Sequence, residues 1–275
     1  MFTQLTPQLY VAQSRLYSMN SGIFVSEGQA LLIDPCLFPD EIQAMVEFVA
    51  EQSLRPEALL ITHSHWDHVF GPPFFVDVPV IAHDCYTAEV EIDRENILHK
   101  VQAWEQAYEV QWPRPFVIPS PHQLVGHESQ IEIGASQLRL LHIPGHAADQ
   151  LAVYHEESAT LWAADLLSDI EIPFIFDSLP AYENTLSFLA GLDIHTLIPG
   201  HGQATQDHEE IANRFLHDRQ YLTQLREYVE TAVKKGQTVE ETLVACASMY
   251  YRVPEENRGP HERNVRFVYD ELTRL

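Results

Sequence analysis

Basic residues are scarce in this chain of 275 residues. The sequence has 16 Lys and Arg residues against 40 Asp and Glu residues, which gives a formal net charge of −24. A surface with that charge repels phosphate backbones and the anionic faces of membranes. We therefore expect a small-molecule substrate, and we expect neither nucleic acid nor a membrane as a partner. The sequence leaves the oligomeric state open.

Long apolar runs and cysteines are also few. No stretch approaches the roughly 18 apolar residues that a transmembrane helix requires. Residues 1–10 lack the basic and apolar regions of a signal peptide. The three cysteines, Cys36, Cys85 and Cys246, are odd in number and widely spaced, which disfavours a disulfide framework. Together these absences predict a cytoplasmic protein.

A dense group of metal-ligand residue types stands in the first third of the chain. Residues 62–68 have the sequence Thr-His-Ser-His-Trp-Asp-His and follow the apolar run 58–61, which is typical of a buried strand. Histidine and aspartate are ligands for zinc and similar metals. A loop can fold several such side chains around two ions, whereas a helix would scatter them. The candidate ligands of this loop are His63, His65, Asp67 and His68.

Ligand-type residues also follow four other predicted strands. The residues at these strand ends are Asp34, His146, Asp165 and His201. In folds that combine helices with strands, binding sites form beyond the strand ends, where loops converge. A single Gly-His pair is a weak signal, but this ordered series predicts one shared site.

The motif series resembles that of the metallo-β-lactamase-fold hydrolase superfamily, in its glyoxalase II-like and generic dinuclear branch. The matching positions are Asp34, residues 63–68, Gly145-His146, Asp165 and the Pro-Gly-His-Gly series at 199–202. The resemblance implies an α+β fold, a four-layer αββα sandwich with metals at one edge of two facing sheets. It covers residues 1–205 as a catalytic domain and leaves residues 206–275 as a helical C-terminal extension.

The resemblance also implies a ligand set for two divalent ions. The first ion would be held by His63, His65 and His146, and the second by Asp67, His68 and His201. Zinc is the expected metal, with iron and manganese as alternatives, because histidine and aspartate suit all three.

Three aspartates have further roles in the implied centre. Asp165 would bridge both ions with its carboxylate. Asp67 would also be catalytic, orienting the nucleophile and carrying its proton. Asp34 would fix a ligand histidine, or the loop itself, from outside the coordination shell.

A dinuclear centre of this kind implies that a hydroxide bridging the ions hydrolyses a small ester, thioester or lactone. The best-known zinc β-lactamases have arginine and cysteine where this chain has His68 and Asp165, so a β-lactam substrate is not expected. Ser168 stands where many acyl-homoserine lactonases have tyrosine, which weakens the lactonase hypothesis. The alternatives are a phosphodiesterase or ribonuclease of the same fold, and a persulfide dioxygenase with one iron.

The remaining sequence predicts helices and the elements that would select the substrate. Capping boxes are predicted at Asp40 with Gln43 and at Thr238 with Glu241. A loop is predicted over residues 254–260 of the C-terminal extension. Whether that extension binds substrate or only packs is left open.

Specificity is expected to lie in three regions, residues 86–125, residues 166–182 and the C-terminal helices. Trp66 is expected to pack beside the metals. Cys36 follows Asp34 closely but is not expected to be a ligand. Histidines outside the motifs, such as His99, are expected to be structural or on the surface.

Overall fold

A seven-stranded sheet forms the first half of the computed structural model, which describes residues 2–35 and 37–274. Its strands, in spatial and sequence order, are β1 (Thr3–Thr6), β2 (Leu9–Gln13), β3 (Asn20–Ser26), β4 (Gln29–Ile33), β5 (Arg55–Leu60), β6 (Val80–His83) and β7 (Gln123–Val125). The strands from β1 to β4 pair antiparallel, and those from β4 to β7 pair parallel. The parallel half directs the ends of β4 and β5 to the same edge of the sheet.

The second sheet has five strands. These are β8 (Glu128–Ile133), β9 (Ser136–His142), β10 (Leu151–His155), β11 (Thr160–Trp162) and β12 (Thr196–Ile198). Neighbours pair antiparallel except β11 and β12, which are parallel. The C-terminal ends of β11 and β12 therefore lie at the same edge of this sheet.

Helices follow or connect these strands. They are α1 (Pro39–Glu51), α2 (Tyr86–Ala107), α3 (Leu179–Leu189), α4 (His208–Lys234), α5 (Val239–Cys246) and α6 (Pro254–Thr273), with a short 3₁₀ turn at Pro72–Phe74. Within the described ranges, no helix combines the length and the apolar character needed to span a membrane.

Three groups of buried apolar side chains show how the layers stack. One group lies between the two sheets and joins Leu31 of β4 to Val153 of β10. A second joins the opposite face of the first sheet, including Leu32, to α1 and α2. A third joins the second sheet to α3, α4 and α6. Because adjacent side chains of a strand point to opposite faces, β4 is apolar on both faces. The predicted four-layer αββα sandwich is confirmed.

The predicted capping box of Asp40 with Gln43 is wrong. The helix begins at Pro39 after Phe38, and the carboxylate of Glu41 accepts a hydrogen bond from the Phe38 N–H at 3.4 Å. Proline suits this first helical position because its missing N–H would have no partner there. Asp40 instead pairs with Arg15 at 2.9 Å, so its carboxylate does not cap the helix.

The predicted loop over residues 254–260 is also wrong, because those residues form the first turns of α6. Pro254 occupies the first helical position, where proline is tolerated. Buried Asn257 donates hydrogen bonds to the carbonyls of Ile170 and Arg252, which holds this helical start in place despite Pro260. The second capping box, Thr238 with Glu241, is present as predicted.

The C-terminal helices share a core with the second sheet. Leu222 of α4 and Val265 of α6 belong to the same buried group as Leu141 of β9. The division at residue 205 stays a prediction. Cys85 and Cys246 are free thiols, and Cys36 lies outside the described residues.

Gly145 tests how closely the loop between β9 and β10 packs on α3. Its φ is +125°, and an added Cβ would lie 2.3 Å from Cα of Tyr182. We expect Gly145→Ala to lower the free energy of unfolding by roughly 2–4 kcal/mol, measured by denaturant unfolding. Gly28→Ala is the control, because Gly28 also has a positive φ of +76° but an added Cβ meets nothing within 4 Å. Equal losses in both variants would contradict the tight contact.

Candidate metal centre

Loops after five strands converge at one edge of the sandwich. They carry Asp34 after β4, residues 61–68 after β5, and His146, Asp165 and His201 after β9, β11 and β12. The two sheets are tied together here, since Met19 and His201 form a β-bridge and the Asn20 N–H donates to the Gly200 carbonyl at 2.7 Å. This edge therefore brings together side chains that are distant in the sequence.

Ligand-type atoms form two adjacent groups in this cluster. The first group is His63, His65, His146 and Asp165, and the second is Asp67, His68 and His201. Within each group, one atom from every residue lies within 4.8 Å of the others. The Nδ1 atom of His65 is 3.0 Å from Nε2 of both His63 and His146. The grouping matches the two sets that the sequence predicted, and their role as ligands stays a prediction.

Asp165 lies between the groups. Its Oδ2 atom is 3.3 Å from Nε2 of His146, and its Oδ1 atom is 3.3 Å from Nε2 of His68. A carboxylate with one oxygen toward each group has the placement that a bridging ligand requires.

The polar atoms of this centre fit divalent cations. His68 Nε2 and Asp165 Oδ1 are buried and lie 3.3 Å apart, but they do not form a hydrogen bond with each other or with any other described residue. Leaving such an atom unpaired costs about 1–3 kcal/mol, and a bound cation removes that cost. Imidazole nitrogens and carboxylate oxygens are suitable donors for zinc, iron and manganese. The residues present therefore fit the two predicted ions.

The opposite nitrogen of several histidines is held by a fixed partner. His146 Nδ1 donates to the Phe174 carbonyl at 2.9 Å, and His201 Nδ1 donates to the Tyr17 carbonyl at 3.0 Å. A hydrogen bond at Nδ1 leaves the lone pair on Nε2, which is the nitrogen turned to the site. The outer contacts thus set both the tautomer and the ring orientation.

Asp34 holds His68 in the same way. Its Oδ2 atom accepts from His68 Nδ1 at 2.9 Å and from the Thr62 hydroxyl at 2.6 Å. Its Oδ1 atom accepts from the Thr62 N–H at 2.8 Å. Asp34 is fully buried and faces the ligand loop from behind. Its supporting role toward a bound ion stays a prediction.

Burial keeps two of the histidines neutral. It lowers the pKa of His63 and of His65 well below the ordinary value, and neighbouring histidines lower both further. Neutral rings at pH 7 have the free lone pair that a metal needs.

Charged neighbours shift the pKa values of two side chains in the second group, Asp67 and His201. Burial opposes ionisation of Asp67, but the hydrogen bond from His201 holds the pKa of that carboxyl at about 2. Burial likewise disfavours protonation of His201, but Glu171 and Asp165 raise its pKa to about 10. Binding of a cation at His201 Nε2 therefore releases a proton.

A cavity of about 570 Å³ opens over the two groups. Its wall contains Trp104 from α2, Phe176 from the loop before α3, and Arg263 from α6. These residues come from the three regions that the sequence predicted to set specificity. Trp66 also lines the cavity, and its ring packs 6.0 Å from those of Phe70 and Trp104.

Some cavity residues belong to no motif. Besides Arg263, they include Tyr17, His99, Lys100 and Glu171. His99 was expected to be structural or on the surface, and it is an exposed residue of the cavity wall. Helical spacing in α2 places His99, Lys100 and Trp104 within little more than one turn, but only the fold shows that this stretch shares a cavity with the candidate ligands.

We expect Asp34→Asn to weaken the affinity of the second ion about ten- to hundredfold, because His68 would lose its ionised partner. Competition with a chromophoric chelator measures this affinity. The matched control is Asp193→Asn, which alters an exposed aspartate–histidine pair whose Asp193–His195 distance is 3.2 Å. Equal affinities in the Asp34 variant and the wild type would contradict the supporting role.

The buried carboxyl group of Asp149 makes the protein's stability depend on pH. Asp149 is fully buried, and among the described residues its two oxygens have no hydrogen-bond partner. Burial raises its pKa from 3.8 to about 7. The folded state therefore binds this proton more tightly than the unfolded state, and stability is lost as pH rises from about 4 to about 7.

Asp149→Asn removes that titration. We expect the difference in melting temperature, variant minus wild type, to increase from pH 5 to pH 8. The increase should correspond to at least about 1 kcal/mol of unfolding free energy. Differential scanning fluorimetry of the metal-loaded proteins measures it. Asp193→Asn is the control and should follow the wild type. A constant difference between the Asp149 variant and the wild type over this range would contradict the assignment.

Comparison with known proteins gives a family and a fold. A family model described as "Metallo-beta-lactamase superfamily" matches residues 16–201. An atrochrysone carboxyl ACP thioesterase of Aspergillus chevalieri is 28% identical over 250 residues, which are 87% of this chain and 68% of that protein.

Two solved structures share the fold. A metallo-beta-lactamase family protein from Thermus thermophilus superposes with a TM-score of 0.71 and 21% identity, over 98% of this chain and 95% of the other. The sec-alkylsulfatase Pisa1 from a Pseudomonas species superposes with a TM-score of 0.77 and 17% identity, over 98% of this chain and 50% of the alkylsulfatase chain. The present chain thus spans half the length of the alkylsulfatase, and these likenesses show the fold alone.

The family match covers both ligand groups and most of the sandwich. The predicted resemblance and fold are confirmed, as is the predicted class, a metal-dependent hydrolase. The chain belongs to the metallo-beta-lactamase superfamily.

Proposed function

We propose that the chain hydrolyses a small thioester with two divalent ions, and that small esters and lactones are further substrates of the same centre. The observation that carries the proposal is the position of Asp165, with one oxygen toward each of two ligand groups. The groups lie under a cavity large enough for a small organic molecule. The thioesterase relative favours a thioester within this class.

The chain's own residues would hold the ions and orient the substrate. Each group supplies three ligands besides the shared Asp165 carboxylate, and zinc is the proposed metal, with iron and manganese as alternatives. When bound, the ions lower the pKa of water toward about 7 and polarise the scissile carbonyl. The aromatic wall excludes water from the remainder of the substrate.

Two carboxylates line the cavity and are available for proton transfer. Asp67 lies 3.5 Å from His201 Nε2 and would orient the attacking oxygen. Its low pKa keeps it ionised, which suits an acceptor of a hydrogen bond. Burial raises the pKa of Glu171, which lines the same cavity, so this carboxyl holds a proton more readily. We assign proton delivery to the leaving group to Glu171, with Asp67 orienting the nucleophile.

The two alternatives differ from this proposal in metal content and in substrate. A phosphodiesterase would have to accept a phosphate backbone against a formal charge of −24. A dioxygenase with one iron would leave Asp67, His68 and His201 without an ion.

The test combines metal quantification with a panel of thioesters, lactones and phosphodiesters. We expect two ions per chain and turnover of thioesters. Asp165→Ala should lose at least one ion and lower kcat/KM by at least about a hundredfold, because the bridge is removed. Glu157→Ala, which changes an exposed carboxylate on the turn between β10 and β11, is the control.

Three results would overturn the proposal. One is a single bound iron with oxygen consumption, another is turnover of phosphodiesters alone, and the third is full activity in the Asp165 variant.

A further inference from the structure

Two basic side chains from different helices meet at one aromatic ring of the cavity wall. The Lys100 Nζ atom of α2 lies 5.9 Å from the ring centre of Phe176, and the Arg263 Cζ atom of α6 lies 5.5 Å from it. All three residues line the cavity above the ligand groups. The contact therefore sets two positive charges beside the site.

These cations are not used in ion pairs of the fold. On α6, Arg258 pairs with Glu262 at 3.3 Å, and Arg266 pairs with Glu240 at 3.2 Å. Within the part of the chain that the structure describes, the salt bridges include neither Lys100 nor Arg263. Carboxylate partners are abundant in a chain with 40 acidic residues. Two cations that line the same cavity without such a partner are available to bind an anionic ligand.

The aromatic ring also fixes the distance from these cations to the reaction centre. The Phe176 ring centre is 4.9 Å from that of His65 and 5.5 Å from that of His146, both candidate ligands. One aromatic ring thus separates the candidate metal position from the two cations. A small substrate can reach both at once.

Much of the remaining cavity wall is apolar. Ala103, Trp104 and Ala107 of α2 line it, together with Tyr108 and Phe174. Such a surface suits a hydrocarbon or aromatic body, and the cations suit an oxyanion at its end. The acidic side chains that line the cavity are the candidate ligands Asp67 and Asp165 and, close to them, Glu171.

We propose that Lys100 and Arg263 form an anion subsite that binds a carboxylate or phosphate group of the substrate. The inference rests on the proposed function. It narrows the substrate to a thioester with an apolar body and with an anionic group that is separated from the scissile bond by about the width of the Phe176 ring. Arg263 contributes a planar fork of donors, and Lys100 contributes a compact charge.

Binding to the metal-loaded protein tests the subsite without requiring turnover. The probes are 4-phenylbutyrate and 3-phenylpropyl phosphate, with the neutral 4-phenylbutyramide as reference, and isothermal titration calorimetry gives each Kd. The double variant Lys100→Met with Arg263→Gln keeps similar side-chain lengths and removes both charges. We expect it to weaken an anionic probe about tenfold while leaving the amide unchanged, as loss of charge-assisted hydrogen bonds predicts.

The two anionic probes identify the group that the subsite takes. A larger loss for 4-phenylbutyrate assigns a carboxylate, and a larger loss for the phosphate assigns a phosphate. Arg266→Gln on the same helix is the control and should bind every probe as the wild type does. The variant that exchanges the two residues, Lys100→Arg with Arg263→Lys, keeps both charges and should restore most of the preference for anions.

Unchanged affinities for both anions in the charge-neutral double variant would overturn the subsite, because anions would then be held by the metals alone. An equal loss for the amide and the anions would also overturn it, since Lys100 and Arg263 would then only support the wall. These outcomes are independent of thioester turnover. Absence of turnover with wild-type protein contradicts the proposed function, and a change in anion preference can be measured in either case.

Discussion

The Asp165 carboxylate lies within 3.6 Å of ring nitrogens from four buried histidines, His63, His68, His146 and His201. Groups buried this closely need positive charge among them, which a bound cation can supply and which protonation of His201 supplies in its absence. The sandwich is arranged around this requirement. Parallel strand pairs in both sheets bring candidate ligand loops to one edge, and hydrogen bonds from outside the centre hold the rings of His68, His146 and His201.

Some of the backbone strain lies at the same edge. Tyr17, Ser18, Asp34, Ala164 and Leu167 all have left-handed φ values, between 41° and 60°. Such conformations cost on the order of 1 kcal/mol or more for residues other than glycine. The strained positions have defined uses, since the Tyr17 carbonyl fixes His201 and the Ser18 carbonyl accepts from the Gly202 N–H at 3.0 Å. Packing of the two sheets holds these turns in place.

The candidate ligands could be predicted from the sequence because they fall in short motifs at strand ends. Each motif is local, so residues 63–68 are recognisable without knowledge of the fold. Arg263 and Glu171 could not be identified in this way. They reach the cavity only through the packing of α6 and the loop before α3, and no spacing rule connects them to the metal loop.

The errors in the helices have a similar origin. Asp40 has the side chain of a good helix cap, but Arg15, which is distant in sequence, takes its carboxylate. Residues 254–260 contain the prolines and glycine of a loop, yet tertiary hydrogen bonds through Asn257 hold them as helix. In both cases a contact between distant residues overrides the local signal.

The C-terminal helices take part in positioning the metal centre. Asn264 of α6 accepts a hydrogen bond from the Ile175 N–H at 3.0 Å and donates one to the Pro173 carbonyl at 2.6 Å. Phe174 lies between those two residues, and its carbonyl accepts from His146 Nδ1. A continuous chain of hydrogen bonds thus runs from α6 to a candidate ligand.

The same loop presents Phe176 to Lys100 and Arg263. One segment, residues 173–176, therefore holds His146, a candidate ligand, through the Phe174 carbonyl and supplies the Phe176 ring that both cations contact. A change in α6 that moves this segment alters the metal centre and the anion subsite together. The helices after residue 205 therefore help to build the site, even though the match to the family model ends at His201.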